Sequence, residues 1–401
     1  MLGRILFILP VIALISVPSF AKEPTLDDYI QKLAEHPQVL QIIAKSTEHK
    51  ELSLAQMGLP DPTLSFGVEN VPVQSHSFDT FLPTSRSIGF TQKFPSYALR
   101  KAKSKQHKQL SVKQQMIADF TKKKLQSLFI SALTNLDKVK KQQQLSNQQI
   151  NLYKELESYF KGRLESGSGV YWRFSQVDVE RSLIEQKLNN LTAERDDIEA
   201  ELIRLVGEVP TISIAHTESK NWKIPEDLYP IKIAMEDIDV AKFGITAANA
   251  TTLHNYTLQG TYKQREDSSN FSGEDWFSVK ASLSLPLWYK WSQAPKKRAA
   301  TARKYGAEQF LEDTKIAWIK KLTSLESKRD ATLKNIHLLV KKDSSLKEMI
   351  AAAKRTYESG ETGLEVLLDS RINSLSIQSQ LAEQRFKHLS VAAKINSYIG
   401  D

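Results

Sequence analysis

The chain has 401 residues, 41% of them apolar and 25% charged, with no cysteine. That is enough apolar material for one large domain or a few small ones, and it excludes a disulfide scaffold, a thiolate zinc site and a cysteine nucleophile. With 15 Gly, 14 Pro and a negative mean hydropathy, neither a low-complexity chain nor a polytopic helical membrane protein fits, and long helices are the class that the totals favour.

Residues 1–21 read as an export signal. Arg4 supplies a positive start, Ile5 to Val17 is an apolar run, and Ser19-Phe20-Ala21 places small residues where cleavage requires them. The run is short for a membrane span, and no cysteine follows to carry a lipid. Cleavage after Ala21 would remove Arg4 and lower the formal charge from +9 to +8. An exported basic chain can meet anionic lipid or acidic partners, and nucleic acid is excluded by location.

The first repeat spans residues 22–207. It opens with a helix over 25–57, continues with strands over 63–71 and 85–94, and ends in a long helical hairpin over 97–206, with helices at 97–165 and 172–206. Leu64, Phe66 and Val68 alternate with Ser65, Gly67 and Glu69. Ile88, Phe90 and Phe94 alternate with Ser87, Gly89, Thr91 and Lys93, with Gln92 an exception on the apolar side. On the long helix Leu125, Phe129, Ala132, Leu136 and Val139 begin an apolar stripe. Ile184, Leu188, Leu191, Ile198, Leu202 and Leu205 form a heptad seam on the return helix. At ~1.5 Å per residue the long helix runs roughly 100 Å, several times the width of a compact domain.

Residues 208–229, with Pro210 and Pro225, form an irregular connector to a second repeat over 230–401. There a helix at 230–253 precedes strands at 256–264 and 276–287 and a long helical hairpin over 292–398, with helices at 292–358 and 364–398. Tyr256, Leu258 and Tyr262 oppose Thr257, Gln259 and Thr261. From Trp276 onward Phe277, Val279, Ala281, Leu283, Leu285 and Leu287 alternate with Ser278, Lys280, Ser282 and Ser284. Ile372, Leu375, Ala382, Phe386, Leu389 and Ala393 repeat the heptad seam. The halves match at an offset of about 191 to 194 residues: Leu64 with Leu258, Phe94-Pro95 with Leu285-Pro286, Gly167 with Gly360 and Gly207 with Gly400.

Leu287-Trp288-Tyr289-Lys290-Trp291 places three large amphipathic rings at the end of a strand about ten residues long, and Phe94 and Tyr97 occupy the matching place in the first half. A membrane-spanning barrel carries its interfacial aromatic girdle at such positions. Four strands cannot close a barrel or hide their own edges, so a chain with four spanning strands needs other copies of itself.

At these residues the sequence resembles the outer-membrane efflux protein family, the channel components of tripartite export systems. The most specific stretch runs from Tyr357 to Arg371, a Tyr-x-x-Gly followed by Val366-Leu367-Leu368-Asp369. Arg163 to Tyr171 is a looser counterpart, and Gly58 to Leu64 resembles the approach to the first strand in the branch linked to heavy-metal export. The resemblance implies a mostly helical homotrimer. In it, four strands per chain form one twelve-stranded β-barrel in outer-membrane lipid, continuous with a long periplasmic α-helical barrel. It implies a passive conduit for solutes, possible cargoes being heavy-metal cations or drugs, with no enzymatic activity, no cofactor and no bound metal. Its partners would be a periplasmic adaptor and an inner-membrane pump of the resistance–nodulation–division type.

By motif position, Tyr357 and Asp369 match residues that ring the periplasmic aperture in the family, so gating is expected there. Thr362 stands where some relatives carry a locking arginine and Val366 where some carry a second acid. Arg163, Gly167, Gly169, Gly360 and Gly363 form the helical tips, where the resemblance implies adaptor docking, and the glycines would allow positive φ in tight reversals. Basic residues Arg100, Lys101, Lys103 and Lys105, then Lys296, Lys297, Arg298, Arg303 and Lys304, follow the second strand of each half and could meet lipid phosphates.

The eight histidines are scattered without metal-pair spacing, and Gly162 to Gly167 lacks the Lys-Ser/Thr of a phosphate loop. The competing reading is a periplasmic coiled-coil adaptor or a structural protein of an export complex, which would have one long hairpin and a soluble sheet.

Overall fold

The computed structural model describes residues 24–168, 171–214, 217, 219–222 and 224–400. The expected signal segment lies outside these residues. In chain order the elements are α1 (Leu26–Ala34), α2 (Pro37–Ala55), β1 (Thr63–Glu69), β2 (Ser85–Phe94), α3 (Tyr97–Glu165), α4 (Tyr171–Val206), α5 (Tyr229–Ala250), β3 (Tyr256–Gln264), β4 (Trp276–Leu283), α6 (Gln293–Glu358) and α7 (Leu364–Tyr398). A single 3-10 turn, Pro225–Asp227, precedes α5. The fold is mostly helical with one four-stranded antiparallel sheet, as the alternation and heptads lead one to expect.

Two long helices give the molecule its length. At ~1.5 Å per residue, α3 with 69 residues and α6 with 66 each span roughly 100 Å. Shorter helices flank them end to end. Near the sheet, α2 lies on one side of α3 and α5 on the other; farther away α4 and α7 take those places, and α6 packs on α5 and then on α7. Three apolar clusters hold this layer: one around Leu33, Phe129, Leu136 and Leu202, a second around Phe120, Leu228, Leu322 and Ile395, and a third around Tyr153, Leu156, Phe160 and Leu368.

The single helix expected over 25–57 is two helices. Pro37 has no N–H to donate and disfavours helical φ/ψ at His36, so the chain breaks there. His36 then caps α2 through Nδ1, which accepts from the Gln38 N–H at 3.3 Å, and Thr25 with Asp28 forms a capping box on α1. Two strands are also shorter than expected. β1 stops at Glu69 because Asn70 adopts φ +58°, and its side-chain amide donates to the Pro83 carbonyl at 3.1 Å. β4 stops at Leu283, shortly before Pro286, which cannot donate to a ladder.

The seam between α3 and α7 departs from the apolar heptad. Gln142 donates to the Ser379 carbonyl and Gln149 to the Ile372 carbonyl, both at 3.3 Å, while Ser131 and Ser390 hydroxyls meet at 2.7 Å. Of the expected heptad Ile372 and Ala393 are buried and Leu375 and Ala382 half-buried, while Ser374, Ile377 and Ser379 are buried between them. Paired polar groups let the two helices approach closely, and between Gln142 and Gln149 only the Ser146 hydroxyl is buried without a partner.

Candidate functional site

Two regions concentrate what packing alone does not explain: the faces of the sheet and the distal tips of the hairpins. The strand order is β1-β2-β3-β4, every pair antiparallel, so β1 and β4 are both free edges. Register assigns the side chains to faces. One row across the sheet is Phe66, Ile88, Tyr262 and Phe277; the next is Leu64, Phe90, Gly260 and Val279; the last is Phe94, Tyr256 and Leu283. Successive strand residues point to opposite faces, so Ser65, Gly89, Thr261 and Ser278 line the other side, as do Thr63, Thr91, Gln259 and Lys280.

The apolar face lies bare in the protomer. Phe66 is 73% exposed and Phe277 72%, and Leu64, Val68, Ile88, Phe90 and Val279 are exposed too. A sheet that formed part of a water-soluble core would bury these side chains. The wet face is packed closely: a Cβ at Gly89 would lie 2.6 Å from Ser65 Oγ. Among the described residues no helix is long and apolar enough to cross a membrane, which says nothing of a barrel.

The expected girdle residues fall at one end of this sheet. Phe94 ends β2 and Tyr97 begins α3, both exposed; Trp288, Tyr289 and Trp291 follow β4 in a turn segment, where Trp291 is 74% exposed. The Trp288 and Trp291 rings lie 5.8 Å apart. The basic residues begin one turn further on. Arg100 donates to the Met57 carbonyl and stacks on Tyr97, while Lys101, Lys297 and Arg298 are exposed.

At the far end the two tips are built alike. After α3, the Ser168 N–H donates to the Arg163 carbonyl at 3.0 Å and the Gly167 N–H to Leu164 at 3.1 Å, with Gly167 at φ +74°. After α6, the Glu361 N–H donates to Thr356 at 2.9 Å and the Gly360 N–H to Tyr357 at 3.0 Å, with Gly360 at φ +81°. Both are complete Schellman caps, which need a residue tolerant of left-handed backbone. Gly169 lies outside the described residues. Gly363 does not take a positive φ as expected: it is extended, φ −74° and ψ 157°, at the N-cap of α7. Close approach explains the glycine instead, since a Cβ there would come within 2.9 Å of Tyr159 Oη.

Of the motif residues, Tyr357 and Val366 are exposed, and Thr362 bonds Thr356 through both its N–H and its hydroxyl. Asp369 is half-buried beside a residue that sequence reasoning did not single out, Arg173 of α4. The Arg173 guanidinium donates to Glu365 at 2.9 Å and lies 3.9 Å from Asp369, so it ties the return helix of one hairpin to that of the other. It also lies over the Trp172 and Phe160 rings. Burial raises the Asp369 carboxyl above its usual range; Arg173 opposes this, and Glu365 and Glu180 add to it. Burial and Glu180 also push the nearby Tyr153 phenol up. One cation, Arg173, faces the carboxylates of Glu365, Asp369 and Glu180, so the cluster keeps an excess of negative charge.

No protein-family model matches the chain, and neither does any curated protein sequence. Solved structures do. The CusC transmembrane channel protein superposes with a TM-score of 0.76 at 14% identity, over 94% of this chain and 93% of that one. The open-state outer-membrane channel MtrE of Neisseria gonorrhoeae gives 0.76 at 16%, over 93% and 88%. The outer-membrane protein VceC of Vibrio cholerae gives 0.72 at 14%, over 94% and 96%. The chain therefore has the fold of these outer-membrane channel proteins along nearly its whole length.

Proposed function

We propose that the protein is the outer-membrane channel of an export system, working as a homotrimer that conducts solutes passively. The observation that carries this reading is the bare apolar sheet face flanked by two unpaired edges. Lipid can cover such a face, and only ring closure removes both edges. Three copies joined β1 to β4 give twelve strands, an even number with the wet rows lining the lumen. The likeness in fold to CusC, MtrE and VceC supports the same conclusion.

In this reading the helical layers of three protomers continue the lumen into the periplasm. The aromatic residues from Trp288 to Trp291, with Phe94 and Tyr97, mark the periplasmic membrane interface. The tips carry the gate, where Arg173, Glu365 and Asp369 hold adjacent helices and Tyr357, Thr362 and Val366 complete the rim. The two Schellman turns are the surface for a periplasmic adaptor, which would couple the channel to an inner-membrane pump. A soluble adaptor would not present an uncovered apolar sheet, which is why the competing reading is set aside.

Fractionation and bilayer recording test the proposal together. The mature protein should sediment with the outer membrane, need detergent for release, and form pores in planar bilayers. A monomer released with the periplasm, without pore activity, would overturn it. Comparing a deletion strain for tolerance to metals, dyes, antibiotics and bile salts would identify the cargo class.

A further inference from the structure

In the distal half of the helical layer α7 runs between α3 and α6, and over it the three helices leave a trough of about 480 Å³. Its apolar lining is Leu333 and Ile336 of α6, Ala382, Phe386 and Leu389 of α7, and Ile214 of the connector. The rim is charged and unevenly paired. Lys138 is closed off by Glu194 at 2.7 Å and Glu383 at 3.6 Å, and Asp137 accepts from the Ser213 hydroxyl at 2.5 Å. His388 Nδ1 lies 3.3 Å from Thr332 Oγ1 and 3.3 Å from the Arg329 carbonyl.

Two cations are left over. Lys141 reaches only the neutral Gln144, at 3.1 Å, and Arg385 has no hydrogen-bond or ion-pair partner among the described residues. Glu383 also holds Lys387 at 3.2 Å, so Lys138 and Lys387 balance Glu194 and Glu383, and against the single carboxylate of Asp137 the two remaining cations leave one positive charge in excess. The trough also lies over α7, between α3 and α6 and away from α4. Its volume is within the range of small-molecule sites, roughly 300–1,000 Å³, and an apolar body with a few convergent polar groups is how such sites select ligands.

We propose that this trough binds a small amphipathic monoanion. Its carboxylate or sulfonate head would sit between Arg385 and Lys141, and its hydrocarbon chain would lie along Leu333, Ile336, Phe386 and Leu389. Because Lys141 belongs to α3 and Arg385 to α7, an occupant would brace the first repeat against the second alongside the polar α3–α7 seam. The site shares no residue with the Arg173, Glu365 and Asp369 cluster at the tips.

Octanoate is a suitable probe, with the assembled protein in lipid nanodiscs, equilibrium dialysis as the readout and empty nanodiscs subtracted. Binding should saturate at one octanoate per chain and weaken about tenfold or more in Arg385→Gln and in Lys141→Gln, with Lys297→Gln unchanged. Octanol, which has the tail without the charge, should bind at least about tenfold more weakly. No saturable binding, or equal binding by all variants, would overturn the proposal. A second measurement addresses occupancy by protein: the chain has no cysteine, so Leu333→Cys gives one thiol for maleimide. Octanoate should slow its labelling about tenfold. Labelling blocked without octanoate would mean that another copy fills the trough, and labelling indifferent to saturating octanoate would put the anion elsewhere; either result overturns the proposal.

Discussion

Val279 and Ser278 are neighbours on β4 with opposite surroundings, and replacing each by arginine isolates the role of the sheet. Val279 is 65% exposed in the protomer and shares a cross-strand row with Leu64, Phe90 and Gly260 near the middle of the strands. If that row faces lipid, arginine there costs about 2–4 kcal/mol at the bilayer midplane. Three copies in one barrel multiply this to roughly 6–12 kcal/mol, a large fraction of the stability of an ordinary domain. Ser278 shares its row with Ser65, Gly89 and Thr261 and faces water in the same account, and one position beyond Val279 the chain already carries Lys280 on that wet side. Val279→Arg should therefore deplete heat-resistant oligomer in outer-membrane fractions, read on semi-native gels. Ser278→Arg should leave it near the level of the unmodified protein. Equal tolerance of both, or the reverse order, would refute the assignment of faces.

Three further outcomes follow from the tips. Arg173→Gln removes the one cation between Glu365, Asp369 and Glu180; partial exposure of this pair limits the loss to about 1–2 kcal/mol per chain, and bilayer recording should show a higher open probability, with an unchanged closed state counting against the latch. Gly360→Val forces a β-branched residue into φ +81°, at a cost on the order of 2 kcal/mol, and should abolish export while oligomer remains in the membrane; surviving export would mean that the turn is not critical. Asp369 has a carboxyl pKa raised in the folded state, so its ionised form weakens the packed tip at neutral pH, and that penalty fades as pH falls through the raised value toward 3.8. Asp369→Asn should therefore stabilise the protein by less than ~1 kcal/mol at neutral pH and flatten the dependence of melting temperature on acidification. Thermal melts followed by circular dichroism check this, and an unaltered pH slope would contradict it.

Much of this architecture was legible because it depends on short-range periodicity. Strict alternation in Trp276–Leu283 needs only neighbouring residues to be read, and register then places those side chains on one face. The shared offset between Gly167 and Gly360 marked two turns that prove to carry the same cap. What escaped depends on residues far apart in the chain. Arg173 gains its meaning from Glu365 and Asp369 in the other repeat, and nothing local distinguishes it from any helix-surface arginine. Gly363 is small because Tyr159 packs above it, a contact between the two hairpins. The heptad expected on α7 buries Ile372 and Ala393, but the polar part of its contact with α3 went unread because buried glutamine and serine are invisible to a count of hydrophobic spacing, although Gln142 and Gln149 satisfy themselves on α7 carbonyls.

The joining of β1 in one copy to β4 in the next can be measured by disulfide trapping, since the chain has no cysteine of its own. Paired substitutions, Ser65→Cys or Gly67→Cys with Ser278→Cys or Ser282→Cys, sample the possible registers between the two free edges. Oxidation in intact outer membranes should convert at least one pair into a covalent ladder ending at three copies, while each single substitution stays a monomer on denaturing gels. Protein that reaches the outer membrane yet forms no such ladder with any pair would contradict closure of the sheet between copies.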